Sequence, residues 1–172
     1  MFSRDGEIMA PDQSDHARRP EVIGQIVRVI RSLDFSISEV QAVWARKLGL
    51  SVPQWNILIT IAEAHEQGGL PVKAVAEAVR VNPSFIVHQS RPLEDLGLIR
   101  RKKGSSTDKR AVYLTTTPKA LKELGGLTKS RDAVGAAIRK EMGEAATLHT
   151  VELLQQLDRC LERCRLRLQI ED

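Results

Sequence analysis

Residues 72–117 read VKAVAEAVRVNPSFIVHQSRPLEDLGLIRRKKGSSTDKRAVYLTTT, and the order of helix, turn and strand patterns in them indicates the fold class. A short apolar helix pattern is followed by a turn and then by Asn82-Pro83, a strong N-cap with a proline suited to the first helical position. The second helix pattern ends at Gly97, a typical helix stop. Two strand patterns then flank a tip rich in Gly, Ser and Asp. Two helices followed by a hairpin predict a winged helix-turn-helix.

The hairpin is the most strongly charged part of the chain. Residues 100–110 carry six positive charges and one negative charge, an excess of five that is larger than the net charge of +4 of the whole protein. Arg and Lys at a hairpin tip can contact phosphates, and Arg can enter a narrow minor groove. A charge run alone is as often a solvated loop, but this one follows a helix-turn-helix pattern. We therefore expect the chain to bind duplex DNA.

A recognition helix carries polar side chains near its N-terminal end, because that end enters the major groove. Gln pairs with adenine edges, Arg with guanine, and Ser or His with phosphate or base. The candidate contacts on the helix are Asn82, Ser84, Phe85, His88, Gln89 and Arg91. Those on the hairpin are Arg101, Lys102, Lys103, Ser105, Ser106, Asp108 and Arg110. Asn82 and Ser84 can also cap the helix, and for Asn82 capping is the favoured interpretation.

The same helix pattern also makes predictions about packing. Ile86, Leu93 and Leu96 are expected to face the core. Pro92 lies inside the helix, where a proline removes one backbone hydrogen bond and clashes with the preceding turn. It either kinks the recognition helix or leaves it ordinary but slightly displaced, and the sequence does not decide between the two.

The amino-acid composition argues against several classes of protein. A chain of 172 residues with 42% hydrophobic and 28% charged residues is typical of one globular domain. An aromatic content of 3% argues against a single-strand binder, which needs several exposed rings. No apolar run approaches the ~20 residues that span a bilayer, so we expect no membrane partner. Residues 1–20 read as a disordered tail without an export signal, which predicts a cytoplasmic location.

Catalytic and metal motifs are not found. The sequence has no P-loop, G-x-S-x-G, H-E-x-x-H or paired-cysteine metal pattern, and its four histidines are scattered along the chain. We therefore predict that the chain is not an enzyme and uses no metal or cofactor.

The C-terminal helix pattern carries an apolar seam at spacings of 3, 4, 3 and 4, formed by Leu154, Leu157, Leu161, Cys164 and Leu168. The seam packs either inside its own subunit or in a dimer. The dimer is favoured because a terminal helix after a complete winged domain has little else to pack on. Cys160 and Cys164 are poorly placed for an intrahelical disulfide, so buried apolar thiols are expected and redox sensing is the alternative.

The hairpin resembles the wing signature D-x-R-x-x-x-L-x-L-T-x-x-G of MarR-type (multiple antibiotic resistance) regulators. The matching positions are Asp108, Arg110, Leu114 and Thr117. Thr116 stands where the signature has its second Leu, and Ala120 where it has Gly. The segments PQW at 53–55 and LEDLGLIRR at 93–101 also look like that family. The resemblance covers roughly residues 23–168.

The resemblance implies a mainly α fold with a small β-hairpin wing. A single domain at 21–172 would hold the winged helix-turn-helix at about 52–117, between dimerisation helices at about 21–48 and 118–170. It also implies a two-fold homodimer on a pseudo-palindromic DNA operator. In that complex Arg110 would reach the minor groove, and Asp108 would orient the wing.

The resemblance further implies a crevice between the dimerisation helices and the winged lobe, often used for small phenolic or other aromatic carboxylates. The candidate ligand residues are Arg31, Trp44, Arg46, Trp55 and His65. Core packing is the favoured interpretation for both tryptophans, and an exposed helix end for His65. The expected function is a ligand-responsive transcriptional regulator, a repressor rather than an activator. A redox-responsive regulator sensing through Cys160 or Cys164, and a sequence-indifferent architectural DNA binder, are the alternatives.

Overall fold

The computed structural model describes residues 13–103 and 111–171, which fall into two compact units. The first unit ends at Thr117 and the second begins at Pro118. The elements of the first unit are α1 (Gln13–Lys47), α2 (Val52–Glu63), a 3-10 turn (His65–Gln67), β1 (Leu70–Pro71), α3 (Val72–Ala78), α4 (Pro83–Asp95), β2 (Ile99–Lys103) and β3 (Val112–Thr116). Those of the second unit are α5 (Pro118–Gly126), α6 (Thr128–Met142) and α7 (Glu144–Glu171).

The sheet is small and antiparallel, with the strand order β1-β3-β2. The β2–β3 pair is the predicted wing hairpin, with Ile99 opposite Thr116 and Lys103 opposite Val112. β1 adds a third strand through the pairs Leu70–Leu114 and Pro71–Tyr113. The mainly helical fold with a β-hairpin wing is therefore confirmed, and the additional strand β1 is a feature that the sequence pattern did not reveal.

The core of the first unit lies where α2, α3 and α4 pack together and α2 meets the sheet. Its fully buried side chains are Ile57, Leu58, Ile61, Val75, Ile86, Ser90, Leu93, Ile99 and Leu114. Ile86 and Leu93 thus face inward as predicted. The same prediction for Leu96 is wrong, because its side chain is 41% exposed. Leu96 is the C-cap of α4, and the turn at Gly97 (φ 68°) places Leu98 in the core instead.

Local capping signals locate the helices of this unit. At the start of α2, the Ser51 hydroxyl accepts a hydrogen bond from the backbone N–H of Gln54 at 3.4 Å. The Gln54 side chain accepts one from the Ser51 backbone N–H at 3.0 Å. This reciprocal capping box satisfies two N–H groups that have no partner within the helix. α1 begins at Gln13, earlier than the start at about residue 21 that the sequence predicted.

The turn between α2 and β1 contains two glycines with different surroundings. Gly68 and Gly69 both have positive φ, 83° and 98°. A Cβ on Gly69 would lie 2.3 Å from the carbonyl oxygen of Leu114 and 2.5 Å from Cγ2 of Thr115, whereas a Cβ on Gly68 would meet nothing within 4 Å. Gly69 therefore allows the turn to pass against β3, and only glycine fits there.

Substitution at these two positions separates backbone strain from steric overlap. Gly68→Ala is expected to lower the free energy of unfolding by about 1–2 kcal/mol, the cost of the left-handed conformation alone. In Gly69→Ala the new Cβ also overlaps with backbone atoms of β3. This overlap is expected to lower the free energy of unfolding by about a further 1–3 kcal/mol. Urea unfolding followed by circular dichroism measures both values. Equal losses for the two variants would contradict the close approach to β3.

The second unit consists of three helices, of which α6 packs on α5 and α7. A break at Gly143, with φ 81°, separates α6 from α7, and a break at Leu127 separates α5 from α6. The seam on α7 is largely exposed in the single chain, with Leu161 54% and Leu168 65% accessible. Within the described part of the chain, no helix is both long enough and apolar enough to cross a membrane.

Candidate nucleic-acid interface

The N-terminal end of α4 is held by its cap. Oδ1 of Asn82 accepts hydrogen bonds from the backbone N–H and from the hydroxyl of Ser84, both at 2.9 Å. Pro83 occupies the first turn, where its missing N–H costs nothing. Asn82 therefore performs the capping role favoured from the sequence, and both polar side chains remain exposed.

α4 presents two opposite faces. The buried face consists of Ile86, Ser90 and Leu93. The opposite face is an exposed stripe at helical spacing, formed by Ser84, His88, Arg91 and Asp95. Phe85 is exposed and Gln89 is half-buried, and at 100° per residue they lie about 100° and 140° around the helix from Ser84. The structure thus brings Ser84, His88 and Arg91 together on one side, with polar groups that can donate and accept hydrogen bonds in a groove.

Pro92 lies on the exposed side of α4, and the helix continues through it to Asp95. The backbone hydrogen bond that a proline cannot donate would have gone to the carbonyl of His88, four residues earlier. Because His88 is exposed, water can reach that part of the helix. The proline is accommodated without ending the recognition helix.

The wing residues are described only in part. Lys102 is exposed on β2. The backbone of Lys103 belongs to β2, but its side chain lies outside the described residues, as do Ser105, Ser106, Asp108 and Arg110. The predicted roles of Asp108 and Arg110 therefore remain predictions based on the resemblance.

Arg101 differs from the other predicted contacts because its guanidinium lies against α4. Nη2 donates hydrogen bonds to Oγ of Ser90 at 2.7 Å and to the carbonyl of Val87 at 3.1 Å. Nε lies 3.0 Å from Oε2 of Glu94. This distance is that of an ion pair. The geometry is not that of a hydrogen bond, and the buried Nε has no hydrogen-bond partner among the described residues. Sequence reasoning missed this cluster. Ser90, a polar residue in the apolar stripe of α4, was the signal that could have indicated it.

The predicted ligand residues form two contacts within the first unit. The rings of Trp44 and Trp55 are 5.9 Å apart at an angle of 41°, and Trp55 is buried. Nδ1 of His65 lies 2.6 Å from Oγ1 of Thr116, which connects the turn after α2 to β3. Arg31 and Arg46 are exposed on α1. The tryptophan pair has the arrangement expected of core packing.

A cleft of about 350 Å³ lies between the start of α3, α4 and the base of the wing. Lys73, Val87, Arg101 and Val112 are among its lining residues, and none of the five predicted ligand residues lines it. Among the described residues there is no group of three or more His, Cys, Asp and Glu side chains that could hold a metal ion.

Cys160 and Cys164 are both exposed, so the expectation that they are buried is wrong for the single chain. The physical reason is that the α7 face carrying Cys164 and the leucine seam is uncovered in the chain alone. Neither thiol forms a disulfide.

The sequence model of the MarR family matches residues 50–112. That range begins at the capping box of α2, includes the whole of α4 and reaches the first residue of β3. Over this winged segment the chain is similar to the MarR family. No curated protein sequence matches the chain.

Solved structures show the same fold over most of the chain. "MarR Protein from Peptoclostridium difficile DA00132" is 17% identical, has a TM-score of 0.68, and is matched over 80% of this chain and 88% of its own. "Structure of reduced AbfR bound to DNA" is 14% identical, with a TM-score of 0.69 and coverages of 86% and 96%. "Crystal structure of S. aureus MepR-DNA complex" is 18% identical, with a TM-score of 0.65 and coverages of 76% and 94%. At these identities the likeness concerns the MarR fold alone.

Proposed function

We propose that this protein is a DNA-binding transcriptional regulator that binds a pseudo-palindromic operator as a homodimer. Its action is repression, and a small effector releases the DNA. The observation that carries the proposal is the exposed stripe of α4, where Ser84, His88 and Arg91 face outward together, directly opposite the buried core face. A helix with this division can place base-reading side chains in the major groove while its other face remains packed in the domain.

The wing supports duplex DNA as the partner. β2 follows α4 in the chain, and its side chains Arg100 and Lys102 are exposed. Basic side chains next to a recognition helix neutralise phosphates of the same duplex and add salt-dependent affinity. Two of the structures that share the fold are DNA complexes, AbfR and MepR. The basic wing and the recognition helix are therefore suited to bind the same DNA duplex, the helix in a groove and the wing on the phosphates.

The homodimer is supported by apolar surface on the two long helices. α1 exposes Ile23, Val27 and Leu33, and α7 exposes Leu154, Leu161 and Leu168. Isolated exposed apolar residues are ordinary, but a series at helical spacing along a helix marks an interaction face. A second copy of the same chain is the partner we propose for it, because a symmetric reader requires two winged lobes.

The proposed effector follows from the resemblance to MarR-type regulators. A small aromatic carboxylate would act by favouring a dimer geometry in which the two lobes no longer match successive major grooves, about 34 Å apart. Arg31 and Arg46 are exposed on α1 and are suited to pair with a carboxylate.

The test of the proposed function is selection of an operator from a random duplex library, followed by competition at one fixed salt concentration. The selected duplex is expected to compete about 10³-fold or more better than random duplex. Arg110→Ala should weaken binding to both duplexes and reduce the slope of log K against log salt by about 0.9, the value for one phosphate contact.

The control for this variant is Arg131→Ala, which removes the same side chain from an exposed position on α6. It should leave both the affinity and the salt slope unchanged. Equal competition by selected and random duplex would instead identify a sequence-indifferent DNA binder. An unchanged affinity of Arg110→Ala would contradict the wing assignment.

A further inference from the structure

The side chain of Arg101 joins the wing to the recognition helix at three points. It contacts Val87, Ser90 and Glu94, which lie at successive positions along one flank of α4. Arg101 itself belongs to β2 and is paired with Leu114 of β3. One guanidinium therefore connects the central part of the wing sheet to the length of α4 that carries His88 and Arg91.

The contacts are of the kind that hold a side chain in one orientation. The guanidinium is planar, so a hydrogen bond to a buried hydroxyl and an ion pair to a carboxylate define its plane. Ser90 is fully buried, and the Arg101 side chain is only 25% exposed. Breaking the contacts would leave the largely buried guanidinium without its acceptors on α4, which is unfavourable. These contacts therefore hold the Arg101 side chain in one orientation against α4.

The same contacts make Arg101 unlike a phosphate-binding residue. Glu94 neutralises its charge locally, and Nη2 already donates to two acceptors on α4. We propose that Arg101 is a positioning residue, which together with Glu94 holds the wing against α4 so that both engage one duplex as a rigid body. This inference rests on the proposed DNA-binding function and adds a pair of residues that act without contacting DNA.

Arg101 could either contact a phosphate or position the wing, and removing the negative charge of Glu94 is expected to change DNA affinity in opposite directions in these two cases. Glu94→Gln removes a negative charge from the DNA-binding lobe. If Arg101 were a phosphate contact, that change would free its charge and tighten DNA binding. If Arg101 positions the wing, the change loosens the connection and weakens binding. Glu63→Gln is the matched control, because it makes the same substitution at an exposed position of α2, in the same unit but outside the stripe of α4.

The binding experiment measures fluorescence anisotropy on the selected operator duplex. Glu94→Gln is expected to weaken binding by about 3- to 10-fold, and Arg101→Met by about 10- to 100-fold, the range for lost hydrogen bonds to charged groups. Arg101→Lys should not restore affinity, because an ammonium cannot make the three contacts of the guanidinium. Glu63→Gln should bind as tightly as the unmodified protein or more tightly. Tighter binding by Glu94→Gln, or full affinity of Arg101→Lys, would overturn the proposal.

A second readout needs no DNA. Tyr113 is the single tyrosine of the chain and pairs with Lys102, next to Arg101 in the sheet. In protein labelled with 3-fluorotyrosine, its ¹⁹F resonance should shift or broaden in Glu94→Gln and Arg101→Met, and stay unchanged in Glu63→Gln. An unchanged resonance in the first two variants would overturn the positioning role. If the unmodified protein binds no duplex, the DNA-binding function fails, while this spectrum still tests the connection.

Discussion

Replacing Leu157 and Leu161 together with Glu is expected to convert the proposed homodimer into a monomer. The seam to which both leucines belong is apolar, and Leu161 is more than half exposed in the single chain. Two carboxylates placed in a helix–helix interface would each lose hydration without a partner, which strongly opposes association. A monomer binds one half-site at a time, so its affinity for a two-half-site operator should fall by about 10²- to 10⁴-fold, the usual gain from linked binding.

The control for this double variant adds the same charge to another face of the same helix. Gln155→Glu with Gln156→Glu also introduces two carboxylates at exposed positions, but an α-helix turns about 100° per residue and places them away from the seam. Sedimentation velocity gives the oligomeric state, and anisotropy on full and half operators gives the affinity. A dimer that persists in the leucine double variant would show that the seam packs elsewhere.

Arg91→Ala is expected to reduce sequence discrimination more than affinity for random duplex. Arg91 lies on the exposed stripe of α4, one turn beyond His88, where a guanidinium can pair with the O6 and N7 atoms of guanine. Loss of one such pair should cost about 1–3 kcal/mol on the selected operator. The corresponding loss on random duplex should be limited to the electrostatic contribution of one charge.

Arg131→Ala is again the matched control, since it removes an exposed arginine from α6. Competition titrations at one salt concentration, with operators varied one base pair at a time, would locate the base pair whose identity no longer matters in Arg91→Ala. A uniform loss on all duplexes, with discrimination preserved, would make Arg91 a phosphate contact rather than a base-reading residue.

The start and end of the recognition helix could be read from the sequence because they depend on neighbouring residues. Asn82 caps α4 through its own side chain, and Gly97 ends the helix with a positive φ that other residues rarely adopt. The capping box at Ser51 and Gln54 follows the same logic. The spacing of apolar residues then identified the buried face of α4 at Ile86 and Leu93.

The sequence could not place side chains whose neighbours are distant along the chain. Arg101 appeared to be one more charge of a basic run, yet Glu94 and Ser90 hold it against α4. Leu96 has an apolar side chain at a position compatible with the core, yet the turn after it directs Leu98 there. β1 has only two residues, and its strand character arises from pairing with β3.

The start of α2, both ends of α4, the wing hairpin and the polar outward face of α4 thus follow from the sequence, because capping, turn formation and helical periodicity are local. Two further features arise only when distant segments meet, namely the passage of Gly69 against β3 and the contacts by which Arg101 joins the wing to α4. The exposure of the Cys160 and Cys164 thiols in the single chain likewise became visible only in the folded structure. These outcomes depend on which surfaces meet after the chain has folded, and no spacing of residues along the chain encodes that directly.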